Sequence, residues 1–227
     1  MKNLLYKELK LSMHPLCCIF ALSFGTLALI PNYPLFVSTI YVITSYTILF
    51  LGANKGQTTN DLFYTLNLPI KRNDVVKARL LSLSFLQFLT ICSSTLFAVI
   101  SIFIYKNSPI VQEFVGLNIE HIIVFIGLVL IGYSITDLIY CSIFYNTGKS
   151  LIASSLISII FYVTFGFVFM IFLPIQIEPL RALCSVKSGI MYILYQLLFL
   201  LFSILVYVIL RIITNKICTK KLLKLDF

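Results

Sequence analysis

Long apolar runs alternate with short polar intervals along most of the chain. The runs occupy residues 15–30, 35–53, 75–105, 121–145, 150–173 and 190–213. A helix needs about 20 residues to cross a hydrocarbon core of about 30 Å. A barrel strand would instead alternate over roughly ten residues. The runs here are continuous, so the pattern predicts an all-α, polytopic membrane protein. It would have six transmembrane helices in one domain, residues 1–227. The third run is long enough to project from the membrane at its start.

Ahead of the first run, Leu5, Leu9 and Met13 recur at i, i+4 and i+8, with Lys2, Lys7 and Lys10 elsewhere around the turn. That pattern predicts an amphipathic helix over residues 1–13 lying in the membrane interface. Pro15 then suits a first helical turn and not an interior. The charged start leads into a full span, so this segment is expected to be retained and not removed as a signal.

The longest polar interval, residues 54–79, separates the second and third runs. Asn60 and Asp61 can cap a short helix with Leu62, Phe63 and Leu66 on its apolar side. Pro69 ends it. Asn73 and Asp74 offer a fresh N-cap for the third run, next to a basic turn of Lys71, Arg72, Lys77 and Arg79. A solvated loop has no need of Leu62, Phe63, Tyr64, Leu66, Leu68 and Ile70, so lipid or a protein is expected to cover them.

Composition supports the membrane class. The chain is 60% hydrophobic and 11% charged, with a mean hydropathy of +1.03. A soluble domain carries roughly 25% charged residues. The net charge of +9 is gathered between the apolar runs and not spread over a soluble face, which argues against nucleic-acid binding. A cytoplasmic N-terminus with six spans leaves only Lys106, Arg181 and Lys187 outside, so 14 of the 17 Lys and Arg lie inside. The positive-inside rule therefore predicts that both termini are cytoplasmic.

Candidate chemistry is sparse. Gly148-Lys149-Ser150 ends like a phosphate-binding loop, but that motif needs glycine at position 143, which is Ile143. No nucleotide site is expected on this chain. The six cysteines include no C-x-x-C pair, and their spacing suits neither a metal site nor a disulfide framework. His14 precedes Cys17 and Cys18 by about one helical turn and could form a Cys–His dyad, although a helix-start histidine beside lipid-facing cysteines is the commoner arrangement. Asp137 is the sole acidic residue deep in a run. An intramembrane carboxylate costs several kcal/mol unless it is paired or wet, so Asp137 either lines a transport path or acts as polar glue. The glue would use Tyr133, Thr136, Tyr140, Ser142 or another helix. Ser150, Ser154 and Ser158 form a small-residue stripe suited to close helix packing.

The opening stretch Met1–Lys10 (M-K-N-L-L-Y-K-E-L-K) and the stretch Asp61–Arg79 (D-L-F-Y-T-L-N-L-P-I-K-R-N-D-V-V-K-A-R) resemble the permease subunits of ABC-2 type transporters of Gram-positive bacteria. In these the start reads approximately L-x-K-E-L, and the first cytoplasmic loop approximately L-P-x-x-R-x-D-x-V-x-A-[KR]. The second pattern falls here on Leu68, Pro69, Lys71, Arg72, Asp74, Val76, Ala78 and Arg79.

The resemblance implies a type V exporter-like architecture of six spans and an interfacial N-terminal helix. It also implies a cytoplasmic coupling loop over 54–74, where Asn60, Asp61, Leu62, Phe63, Tyr64, Leu66, Pro69, Lys71, Arg72 and Asp74 meet an ATPase, and a re-entrant extracellular segment over 174–189. The unit would pair two permease chains, alike or different, with a cytoplasmic ABC ATPase dimer that holds the ATP and magnesium. This chain would bind no cofactor and would sit in the bacterial plasma membrane. Its substrates would be amphipathic or antimicrobial peptides, such as phenol-soluble modulins, or other hydrophobic compounds. Two rivals stay open: a six-span substrate-binding subunit of a vitamin importer, and a membrane peptidase using His14 with Cys17 or Cys18.

Overall fold

The computed structural model describes residues 2–8, 16–29, 65, 67, 69–105, 119–147, 151–166, 168 and 190–224. The expected second span, Asn60–Tyr64, Leu66, His14 and the expected re-entrant segment 174–189 lie outside the described residues.

The described residues contain helices and turns and no strand. They form α1 (Lys2–Lys7), α2 (Leu16–Ser23) continuing into a 3₁₀ segment (Phe24–Leu29), α3 (Arg72–Tyr105), α4 (Ile119–Thr147), α5 (Leu151–Gly166) and α6 (Ile190–Lys224). Three stretches, Arg72–Ser101, Ile122–Asn146 and Met191–Lys224, are long and apolar enough to cross a membrane. At 1.5 Å per residue, the 34 residues of α3 extend roughly 50 Å, well beyond one hydrocarbon core. These are the features of a helical, membrane-embedded protein.

The helix ends differ from the hydrophobic boundaries at two places. α6 does not stop with its apolar run near residue 213 but continues to Lys224. α3 begins at Arg72, before the expected cap at Asn73 and Asp74. Lys71 holds the cap position instead, its carbonyl accepting the Asp74 N–H at 2.8 Å. Asp74 is then a first-turn residue, where its charge complements the helix dipole. Asn73 is released to contact α6.

α4 is central. Its most extensive contact among the described residues is with α6, and its other main contact is with α5. Gly127 permits the first: a Cβ there would lie 2.8 Å from a Phe199 ring carbon and 2.9 Å from Ser203 Oγ. Small residues allow such close approach where water exclusion cannot drive packing. Against α5, Tyr133 stacks on Tyr162 with ring centroids 5.7 Å apart. Ser154 and Ser158 of the serine stripe are fully buried, as close packing requires. The core is aromatic-rich, with Tyr133, Tyr140, Phe144 and Tyr145 each at most 1% exposed. Outward positions of α6 such as Met191, Leu201 and Val208 are apolar and exposed, as a lipid-facing surface requires.

α2 and the 3₁₀ segment run alongside α3. A Cβ on Gly25 would lie 2.4 Å from Ser93 Oγ, so only glycine fits at this contact. Four residues after Gly25, the Leu29 carbonyl accepts from the Ser101 hydroxyl at 3.2 Å, which satisfies an orphan acceptor at the segment's end.

α1 packs by a different stripe from the one its sequence suggests. Leu4 is buried against Val75, Ala78 and Ile70, and Glu8, one turn further on, is 2% exposed. Leu5 is only half-buried. The protein contact with α3, and not lipid alone, selects the inner face.

Candidate functional site

Among the described residues, two ion pairs are buried at the end of the bundle where α1, the start of α3 and the ends of α4 and α6 converge. In the first, Arg79 Nε donates to Glu8 Oε2 at 3.0 Å, with both side chains nearly inaccessible. The Arg79 guanidinium also sits over the Phe144 ring at 5.3 Å. α1 is thereby joined to α3, and α3 to α4. Next to this pair, Lys7 Nζ donates to the Thr65 hydroxyl.

The second pair lies deeper. Arg211 Nη2 of α6 is 2.7 Å from Asp137 Oδ2 of α4, and Asp137 is fully buried. Gln87 of α3 completes the junction. Its Nε2 donates to Asp137 Oδ2 at 2.6 Å, and its Oε1 accepts from Arg211 Nη2 at 2.7 Å. Tyr207 Oη lies 3.0 Å from both Gln87 Oε1 and Ser84 Oγ, with one proton to share between them, and accepts from Arg211 Nη2 at 2.9 Å. One carboxylate, one guanidinium and one carboxamide thus lock three helices that are long and apolar enough to cross a membrane. A carboxylate in hydrocarbon is tolerable only when paired in this way.

The same end of the bundle is latched at its rim. Arg72 Nη1 donates to the Leu222 and Leu223 carbonyls at 2.9 and 3.2 Å, capping the last turn of α6. Asn73 Oδ1 accepts from Asn215 Nδ2 at 3.0 Å. Lys221 Nζ donates to the Ser142 carbonyl at 2.9 Å and to its hydroxyl at 2.7 Å. These contacts explain why α6 stays helical through its basic end.

Of the expected coupling residues, Pro69 and Lys71 are exposed at the turn before α3. Arg72 and Asp74 are half-buried, and the Arg72 guanidinium is turned inward to α6. A cleft of about 470 Å³ opens between α1 and this turn, lined by Asn3, Leu4, Lys7, Pro69, Ile70, Lys71 and Asp74. Asp137 is fully buried and meets residues of two other helices. Cys18 is half-buried against the core. Among the described residues, no group of three His, Cys, Asp or Glu is placed to hold a metal ion.

The charge pattern alone marks Arg211 and Arg79 as topology charges and does not single out Glu8 or Gln87. Signals for the pairs were present. Arg211 follows 21 uncharged residues, 190–210, and Glu8 is the sole acidic residue before Asp61. A lone charge of each sign beside long apolar runs calls for a partner. Which partner depends on the azimuth and register of separate helices, and no local pattern encodes those.

No family model, curated protein or solved structure matches this chain.

Proposed function

We propose that this chain is the permease subunit of an ATP-driven ABC exporter of ABC-2 type. It has six spans, lies in the bacterial plasma membrane with both termini cytoplasmic, and moves amphipathic peptides or other hydrophobic compounds outward. One observation carries the reading. The exposed turn at Pro69 and Lys71 leads directly into a single 34-residue helix, α3, and α3 is fastened to α1, α4 and α6 by the Glu8–Arg79 pair, the Arg72 latch and the Gln87 junction. A push on that turn has a stiff path into the membrane-crossing bundle.

In this reading a soluble ATPase dimer docks at the segment Asn60–Leu66, and the cleft between α1 and the turn is part of its footprint. Closure of the ATPases on ATP drives the segment toward the membrane. α3 carries the movement to α4 and α6, and two permease chains open a path between them. No residue of this chain takes part in bond making. Lys71, exposed at the turn, is available to an acidic residue of the ATPase. Asp137, held by Arg211 and Gln87, transmits movement between helices and does not contact substrate.

Reconstituted complex tests the docking step. Phe63→Ala with Tyr64→Ala is expected to abolish substrate-stimulated ATP hydrolysis while leaving the chain in the membrane. Unchanged stimulation overturns docking at this segment. A reporter fused after Phe227 is expected to be active only in the cytoplasm.

A further inference from the structure

A crevice of about 500 Å³ lies between α3 and α6, beside Arg211. Its upper wall is charged: Lys77, Arg211 and Lys216 line it. Its lower wall is apolar: Leu81, Val208 and Ile212 line it, each 47–52% exposed. Asp137 neutralises Arg211. Lys77 and Lys216 are exposed and have no ion-pair partner among the described residues, so the crevice carries two net positive charges.

The level of this crevice follows from the helices. The uncharged stretch 190–210 of α6 measures roughly 31 Å at 1.5 Å per residue, one hydrocarbon thickness. Arg211 is the first residue past it, and Lys216 lies about 7 Å further along. On α3 the uncharged stretch begins at Leu80, three residues after Lys77. Lys77 and Lys216 therefore lie at the headgroup level, Arg211 and Ile212 at the boundary, and Leu81 and Val208 at the level of the acyl chains.

We infer that the α3–α6 crevice is a binding site for an anionic phospholipid, its phosphate held by Lys77 and Lys216 beside Arg211, and an acyl chain laid along Leu81 and Val208. Charge-assisted bonds from the two lysine ammonium groups suit a phosphate. Because Arg211 holds Asp137, lipid occupancy would stiffen the junction of α3, α4 and α6. This inference needs only a membrane-embedded chain and stands apart from the exporter reading.

The test is native mass spectrometry of the full chain released from nanodiscs of equal phosphatidylglycerol and phosphatidylcholine. Wild type is expected to retain phosphatidylglycerol selectively. Each surface lysine adds about 1 kcal/mol to anionic-lipid attraction, so Lys77→Gln with Lys216→Gln is expected to weaken retention roughly tenfold or more. Lys220→Gln with Lys224→Gln removes the same charge outside the crevice and is expected to leave retention near wild type. Val208→Trp, which fills the apolar wall at an exposed site, is expected to lower retention with every lysine present.

Equal loss in the two lysine pairs would show diffuse attraction and overturn the site. So would equal retention of phosphatidylcholine. Deacylated glycerophosphoglycerol binding as tightly as the lipid would overturn the acyl-chain part. A dimer that dissociates on Lys77→Gln with Lys216→Gln, with lipid retention unchanged, would assign the crevice to a second copy of this chain instead.

Discussion

Arg211 Nη2 lies 2.7 Å from Asp137 Oδ2, and Gln87 touches both. The pair joins the two helices with the most extensive mutual contact and draws in the third. Breaking a buried pair by removing one charge costs about 3–5 kcal/mol, whereas removing both together is often neutral. Asp137→Leu is therefore expected to destabilise the protein by about 3 kcal/mol, and Arg211→Met in the same chain to restore most of it. Gln87→Ala removes neutral partners and is expected to cost only about 1 kcal/mol. Thermal melting in detergent reads all three. If Asp137→Leu melted like wild type but transport ceased, Asp137 would belong to the substrate path.

The Glu8–Arg79 pair is nearly inaccessible to solvent, so salt should not screen it as it would an exposed pair. Glu8→Ala is expected to release α1, read as faster hydrogen exchange over residues 2–8 at both low and high ionic strength. Arg79→Lys is expected to loosen α1 less than Arg79→Leu, since it keeps the charge but loses the planar fork and much of the stacking on Phe144. Unchanged exchange in Glu8→Ala would mean that Leu4 packing alone holds the helix.

At Gly25 the contact is steric. A methyl group would sit 2.4 Å from Ser93 Oγ, so Gly25→Ala is expected to cost about 1–3 kcal/mol, the usual range for overpacking. Ser93→Gly removes the two opposing side-chain atoms and leaves only the Ser93 backbone carbon, at 3.1 Å. The double variant is expected to recover much of the loss, a coupling typical of residues in contact. Additive melting shifts in the double variant would contradict the close approach.

Arg72 caps the last turn of α6 through two carbonyls. Arg72→Ala is expected to fray residues 220–224, seen as lost amide protection there with the middle of α6 unaffected. Protection unchanged in that turn would show that Lys221 on Ser142 is sufficient by itself.

Much of the helix layout was legible in the sequence. The apolar runs beginning at residues 75, 121 and 190 lie within α3, α4 and α6, because continuous apolarity over about 20 residues admits little but a helix in a bilayer. The helix ends were less legible. Hydropathy marks where lipid stops, whereas α6 stops where Arg72 and Lys221 no longer hold it. Asn73 illustrates the same limit. Its type suits a cap, yet its carboxamide is taken by Asn215 across the bundle. Asp137 stood out as an intramembrane charge, but its partners sit 50 and 74 positions away, at Gln87 and Arg211. Such pairings arise from helix rotation and register, which the chain sets only once it is folded. The exposed turn at Pro69 and Lys71 was legible because it interrupts the hydrophobic pattern.

The most direct test of the exporter reading is affinity purification of the full chain from its native membrane in mild detergent, with co-purifying proteins identified and counted by mass spectrometry. The expected result is a cytoplasmic ABC ATPase at one copy per permease chain, lost when Phe63 and Tyr64 are replaced by Ala. A pure, folded chain that reproducibly lacks any ATPase would contradict the exporter reading, while leaving the lipid site between α3 and α6 to stand or fall on its own test.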